Sequence, residues 1–397
     1  MRPPLSRNQI SELPEPDADA AAHSAACLAL IRETIAREGG WISFARYMEL
    51  ALYAPGLGYY AAGARKFGTA GDFVTAPEIS PLFGQALARA IQPVLIETAG
   101  EVLELGPGTG RLAFDILQEC EALDAPPRRY ALLEVSAELR QRQAALLDTL
   151  PSQLREKVVW LDALPRNIEG VILANEVLDV VPLHLVLREG ARWLERGVAD
   201  DAGQLTYADQ PLQDVSLVAR AEAIGASCFG GAVPEGYLIE ISPAAGALVA
   251  SLGESLSRGA ALFIDYGFRA AEFYHPDRSM GTLMCHYRHR AHADPFLHPG
   301  LQDITAHVDF TAAAEAGAAV GLEVAGYTSQ AQFLLAGGLA EVLMRVNRHD
   351  SKSWLNATSA VQRLTAPSEM GELFKVLGFT RGGVSFPAFA KARALAL

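Results

Sequence analysis

The chain has 397 residues, half of them hydrophobic, enough for a sizeable core. Its net charge of −13 excludes nucleic-acid binding through a general basic surface and leaves open a cationic substrate or plain acidic solubility. Four dispersed cysteines, Cys27, Cys120, Cys228 and Cys285, form neither a CxxC pair nor a disulfide framework and fit reduced thiols.

No apolar run approaches the roughly 20 residues of a membrane helix. The N-terminus lacks a signal-peptide apolar region. Arg2 and Arg7 hint at a transit peptide, but Glu12, Glu15, Asp17 and Asp19 follow quickly, so a cytoplasmic protein is expected. Residues 1–20, rich in prolines and acids, are expected to form a disordered tail. Residues 21–97 read as a helical and loop extension. Within it, Ser80 caps a helix that opens on Pro81 and runs to about Leu95.

An α/β core fills 98–397. Buried-type strands are expected at 101–106, 129–136, 158–164, 170–179 and 259–268. Helices are expected between them at 111–123 and 137–150 and near 244–257. That alternation predicts a parallel sheet covered on both faces. Residues 184–240 and 269–308 read as insertions. The first predicts antiparallel hairpins turning at Glu189-Gly190 and Ala202-Gly203. A helix and strand over 310–330 and a strand within 371–382 complete the sheet.

Ligands in such sheets bind beyond the carboxyl ends of the strands. The loop after the first strand is "EVLELGPGTGR". A dinucleotide fingerprint starting at Gly106 needs glycine where Arg111 stands, and a phosphate loop needs Gly-Lys-Ser/Thr, which is missing. The run is instead Glu104-x-Gly106-x-Gly108-x-Gly110. It resembles motif I of class I S-adenosylmethionine-dependent methyltransferases. The glycines let the backbone approach a ligand, and the Glu104 carboxylate can meet an ammonium group. The alternative is a tight strand-to-helix turn without a ligand.

Further acids follow. Glu134 ends the second strand, where a carboxylate can accept both ribose hydroxyls. Asp162 and Ala163 end the third, where they could read an adenine amino group. After the fourth strand, "NEVLDVVP" sets Asn175, Glu176 and Asp179 at the cleft.

The stretch "CHYRHRAHADPFLH" spaces His286, His289 and His292 three apart, beside Cys285 and His298. Arg288 and Arg290 intervene, and a substrate-facing loop with Tyr287 is preferred over a metal site. For Asp303, His307 and Asp309, a role at the cleft rim and simple helix capping remain open.

The segments "MELALYAPGLGYY", "GDFVTAPEISPLFGQ", "LELGPGTGRLAFDIL", "ANEVLDVVP", "FIDYGF" and "GTLMCHYRHRAHADPFLHPGLQDITAHVDF" together resemble the MidA family. That family contains class I methyltransferases, among them a mitochondrial complex I assembly factor that methylates an arginine of a complex I subunit. The resemblance implies a Rossmann-like seven-stranded sheet with the last strand antiparallel, an N-terminal extension and an inserted cap. It implies S-adenosylmethionine contacts from Gly106, Gly108, Gly110, Glu134 and the Asp162 turn. It also draws Thr75, Pro77 and Glu78 towards the methionine end, where a structural turn is the alternative.

The expected activity is methyl transfer to arginine on a protein partner, possible targets including a complex I-type subunit, in the cytoplasm or, in a eukaryote, the mitochondrial matrix. Arginine is essentially always charged, so its methylation calls for carboxylates that bind the guanidinium and take its proton. Glu176 and Asp179 are the candidate pair, placed on one face if the chain turns helically after the strand. The alternatives are a small-molecule N- or O-methyltransferase and an S-adenosylmethionine-binding scaffold without turnover.

Overall fold

A computed structural model describes residues 13–61, 75–98 and 100–397. Seven strands form the central sheet: β1 (Glu101–Leu105), β2 (Arg129–Leu133), β3 (Val158–Leu161), β4 (Ile168–Asn175), β5 (Leu256–Phe268), β6 (Glu323–Ser329) and β7 (Phe374–Arg381). Their order is β6-β7-β5-β4-β1-β2-β3. The strands β1 to β5 run parallel where they pair, and β7 lies antiparallel between β5 and β6. The last strand in sequence is therefore the reversed one, as expected. A short strand, Val308–Asp309, adds to the end of β5.

Chain direction through the sheet switches between β1 and β4, so the loops leaving these neighbours diverge and open a crevice. Helices cover both faces. One face buries Phe83, Leu87, Ile116 and Phe333; the other buries Val249, Phe263, Phe310 and Phe379. The helix Pro81–Glu97 begins as expected, with the Ser80 hydroxyl accepting from Leu82 N–H at 3.2 Å and proline in the first turn.

The N-terminal extension and the insertion merge into one cap. Strands His184–Glu189, Arg192–Asp201, Gln204–Pro211 and Leu238–Ile241 form an antiparallel sheet joined by Ile42–Ser43. The hairpin Asp201↔Gln204 turns on Ala202 and Gly203, both at positive φ, the geometry that suits a two-residue turn. A shared core of Ile31, Tyr47, Leu185, Val198 and Ile304 binds extension to insertion. Residues 27–60 of the extension and the 184–240 insertion thus share one core, although they are far apart in sequence, while the helix Pro81–Glu97 packs on the central sheet instead.

The expected tail 1–20 needs correction at its end. Residues 1–12 lie outside the described residues, but Leu13 is buried and a helix already starts at Ala18. Asp17 caps it, accepting from Ala20 N–H at 2.9 Å. The histidine stretch is also not an open loop. Met284–Tyr287 and Arg290–His292 form a hairpin that pairs with Asp303–Thr305, and Tyr287 is buried. Among the described residues no group of three His, Cys, Asp or Glu side chains could hold a metal ion. No described helix is long and apolar enough to cross a membrane.

Candidate active site

The crevice at the β1/β4 switch encloses about 630 Å³. Glu104, Gly106, Gly108, Glu134, Asn175, Glu176 and Asp179 line it, with Thr75, Pro77 and Glu78 at its edge. Gly110, Asp162 and Ala163 do not.

Gly106, Gly108 and Gly110 all adopt positive φ, between 54° and 84°, where a side chain is strained. A Cβ on Gly106 would lie 3.3 Å from Val177 Cγ2, so its absence keeps the floor of the crevice open. Gly110 serves the loop rather than the cavity. It starts the helix Arg111–Ala122, and a Cβ there would press on Gln143.

Gln143 carries no sequence signature, yet it holds the loop. It is fully buried, and its side-chain amide nitrogen, Nε2, donates to Gly108 O at 2.8 Å and to Glu134 Oε2 at 3.2 Å. Its Oε1 accepts from Trp160 Nε1 at 2.9 Å. One amide therefore ties the glycine loop, the β2 acid and β3. Only helical register, bringing the Ala137–Leu147 helix beneath the loop, could have pointed to it. Glu134 is fixed further by Ser136 N–H at 2.8 Å.

Asp162 goes elsewhere for a physical reason. Arg140 donates to Glu134 O at 2.7 Å, Leu161 O at 2.7 Å and Asp162 Oδ1 at 2.8 Å. The guanidinium staples the ends of β2 and β3 while the Asp162 side chain stays 91 % exposed. Asp162 and Ala163, expected to read an adenine amino group, are not among the residues that line the crevice, whose wall beside β2 includes Leu133, Glu134, Val135 and Leu139.

Glu104 is buried at 3 % exposure and accepts from Tyr130 Oη at 2.6 Å. Burial pushes its pKa up to about 7, against the pull of that hydroxyl. Glu176 takes a left-handed φ of 54°, rare for a residue with a side chain. Its Oε1 accepts from Asn175 Nδ2 at 3.2 Å and from Ala76 N–H at 3.3 Å. Burial, then the Asp179 charge, push its pKa up to about 8. Burial also raises Asp179, to about 6, against the Tyr266 hydroxyl.

These two acids share the cleft without the expected helical turn. Residues 176–181 form an irregular turn wrapped around Asp265, which accepts from the backbone N–H groups of Val177, Leu178 and Asp179 at 3.1, 2.9 and 3.2 Å. Asp265 lies inside "FIDYGF", and its role depends on β5 lying beside β4. The Asp303/Asp309 question also divides: Asp309 caps the helix Phe310–Ala319, while Asp303 lines the cleft. His307 packs between Tyr266 and Phe268.

The segment Thr75–Ser80 clasps both halves of the crevice. Glu78 accepts from the Thr109 hydroxyl of the glycine loop, and Ala76 N–H reaches Glu176. The far wall comes from an unforeseen helical region between β6 and β7, through Arg363, Met370 and Leu373.

A seven-stranded sheet with its last strand reversed, and a crevice of this build at the switch point, define a Rossmann-like α/β fold of the S-adenosylmethionine-dependent methyltransferase class. A family model described as "Putative S-adenosyl-L-methionine-dependent methyltransferase" matches residues 84–328, and the chain belongs to that family. S-adenosylmethionine is the family's methyl donor.

The chain is 49 % identical to a Burkholderia thailandensis protein solved bound to S-adenosyl-homocysteine, with a TM-score of 0.91, covering 96 % of this chain and 98 % of that one. It is 31 % identical over 300 residues to mouse "Protein arginine methyltransferase NDUFAF7, mitochondrial", covering 68 % of this chain. The match spans 65 % of the mouse protein's length. The zebrafish protein of that name is 29 % identical over 369 residues, 85 % of this chain and 82 % of its own.

Proposed function

We propose that this protein methylates arginine side chains of a protein partner. The observation that carries the reading is the juxtaposition of Glu176 and Asp179 with the glycine loop in one cleft. Relatives named as protein arginine methyltransferases support it. A small-molecule acceptor and a scaffold without turnover are the alternatives that the experiment below separates.

The donor fits the residues present. Gly106 leaves a cradle that a Cβ would narrow, and Asn175 Oδ1 is a buried acceptor with no hydrogen-bond partner among the described residues. Gly106 and Gly108 offer backbone, Glu134 offers a carboxylate for ribose hydroxyls, and Glu104 and Asn175 offer acceptors for the amino-acid end. Thr75, Pro77 and Glu78 close over that end. S-adenosylmethionine, when bound, supplies a methyl group on a positively charged sulfur.

The chain's own task is to present a nucleophile. A guanidinium entering the cleft meets Glu176 and Asp179, whose raised pKa values reflect burial without a cation. Its charge favours their ionised forms. Charge-assisted hydrogen bonds then fix one nitrogen in line for attack. As the N–C bond forms at the expense of the methyl–sulfur bond, whose electron pair stays on sulfur, that nitrogen must lose a proton, and Glu176 accepts it. A base poised near neutrality is well matched to this step.

The partner remains a class: a protein presenting an accessible arginine, a respiratory complex I-type subunit being the one the MidA resemblance suggests. A reducing compartment such as the cytoplasm is supported by four free cysteines, three of them buried. The test is transfer of labelled methyl from S-adenosylmethionine into proteins of a cell lysate, with the modified residue identified by mass spectrometry. Label on arginine supports the reading. Label confined to small molecules or to other side chains, or no transfer by protein that binds the donor, overturns it.

A further inference from the structure

The reaction scheme uses the core side of the cleft. The cap supplies another wall. Strand Asp303–Thr305 pairs with Met284–Tyr287 in the register His286↔Asp303, and His286, Asp303 and Thr305 all line the cavity. Tyr53 and Tyr60 line it too, their rings stacked with centroids 5.6 Å apart and planes 22° from parallel. Tyr60 Oη donates to Asp303 Oδ1 at 2.9 Å.

This wall is tied to the turn that carries the core acids. Tyr53 Oη donates to Val180 O at 3.0 Å, and Ala306 N–H donates to Asp179 O at 2.9 Å. Cap and core are therefore held in register beside Asp179. Asp303 is only 2 % exposed and close enough for its charge to act on Glu176. Three carboxylates from two separate parts of the fold thus converge on one small volume. Such crowding helps raise the pKa of Glu176, and a cation bound among the three acids favours their ionised forms.

The shape of that cation follows from the arrangement. A guanidinium is planar and carries five N–H donors directed outward along different edges. Glu176 and Asp179 can meet one edge from the core, and Asp303 another from the cap. The two tyrosines add aromatic surface to the same wall. A lysine ammonium is a compact, strongly hydrated point charge that cannot present donors along separate edges of a plane.

We infer that Asp303, held by Tyr60 beside Tyr53, forms a guanidinium-binding subsite contributed by the cap, which selects arginine over lysine as the methyl acceptor. This rests on the arginine reading above, and it assigns acceptor choice to the cap and proton transfer to the core.

NMR titration tests the subsite without turnover. The probes are N-acetyl-arginine-N-methylamide and its lysine counterpart, added to the full chain saturated with S-adenosyl-homocysteine. The wild type should bind the arginine probe about tenfold or more tightly than the lysine probe, the scale of one charge-assisted hydrogen bond. Asp303→Asn should remove that preference while S-adenosyl-homocysteine affinity stays within about twofold. Equal binding of the two probes by the wild type, or a preference undiminished in Asp303→Asn, overturns the inference. Should Asp303→Asn not fold, Tyr60→Phe decides: a reduced preference supports the subsite and an unchanged one overturns it. Arginine-selective binding in a protein that methylates no arginine would refute the proposed activity and leave the subsite standing.

Discussion

Asp265 Oδ2 accepts the backbone N–H of Leu178 at 2.9 Å, and the same oxygen gathers the N–H groups of Val177 and Asp179. A buried acid on β5 thereby shapes the turn after β4. That turn carries both acids assigned to the acceptor. Asp265→Ala would take this acceptor from four amides, these three and the Tyr266 N–H that lies 2.9 Å from Oδ1. The expected cost is about 3 kcal/mol or more, at about 1–3 kcal/mol for each buried unsatisfied group. Denaturant unfolding measures it. Asp265→Asn keeps an acceptor oxygen and should cost less.

Glu176→Gln tests the proton acceptor. Gln keeps the shape and an oxygen for Ala76 N–H, so folding and donor binding should persist. The catalytic rate constant should fall about 10²- to 10⁴-fold, the usual contribution of a positioned base. Single-turnover kinetics with labelled donor reads it. A rate within threefold of wild type, roughly the noise of a passive site, would remove Glu176 from the mechanism. Asp179→Ala should also lower transfer.

The pH dependence has a defined sign. Glu104 and Glu176 have pKa values pushed up to about 7 and about 8 by burial. The native state therefore holds protons that the unfolded state releases above about pH 4.5. This stabilisation is full below the unfolded pKa and is lost as pH rises through the folded values. His286 and His307, pushed down to about 4 by burial, act oppositely, gaining stability from about pH 4 to 6.5. Above that window only the acids remain, so the melting temperature should fall from about pH 6.5 to 8. Glu176→Gln should flatten the upper part of this fall. Methyl transfer should rise over the same interval, since the base must be ionised.

Gln143→Leu should weaken donor binding without touching the donor. It strips Trp160 Nε1, Gly108 O and one Glu134 oxygen of a shared buried partner. The expected loss of stability is about 2–3 kcal/mol, with weaker binding of S-adenosyl-homocysteine by calorimetry. Unchanged affinity would show that the loop holds its shape without the glutamine.

Gly106→Ala tests the cradle. At φ 56° the alanine is strained, and its Cβ would lie 3.3 Å from Val177 Cγ2. Strain of this kind costs about 1–3 kcal/mol, and donor affinity should drop about tenfold or more. Wild-type affinity would exclude close backbone approach at this glycine.

The sequence by itself determined the strand order of the polypeptide, the glycine loop and the acids closest to it. These are local features: apolar runs form strands, Ser80-Pro81 starts a helix, and Arg111 excludes a dinucleotide loop. Glu104, Gly106, Glu134, Asn175, Glu176 and Asp179 all line the cleft because each sits at or just past a strand's carboxyl end. Only the tertiary structure decided what lies opposite them. Asp162 is a strand-end acid by the same local rule, yet Arg140, one helix away, holds it in solvent. Gln143, Asp265 and Asp303 gain their places through neighbours 9, 87 and 243 residues distant in the chain. Hydrophobic periodicity records which face of an element is buried; it holds no record of which element packs against that face.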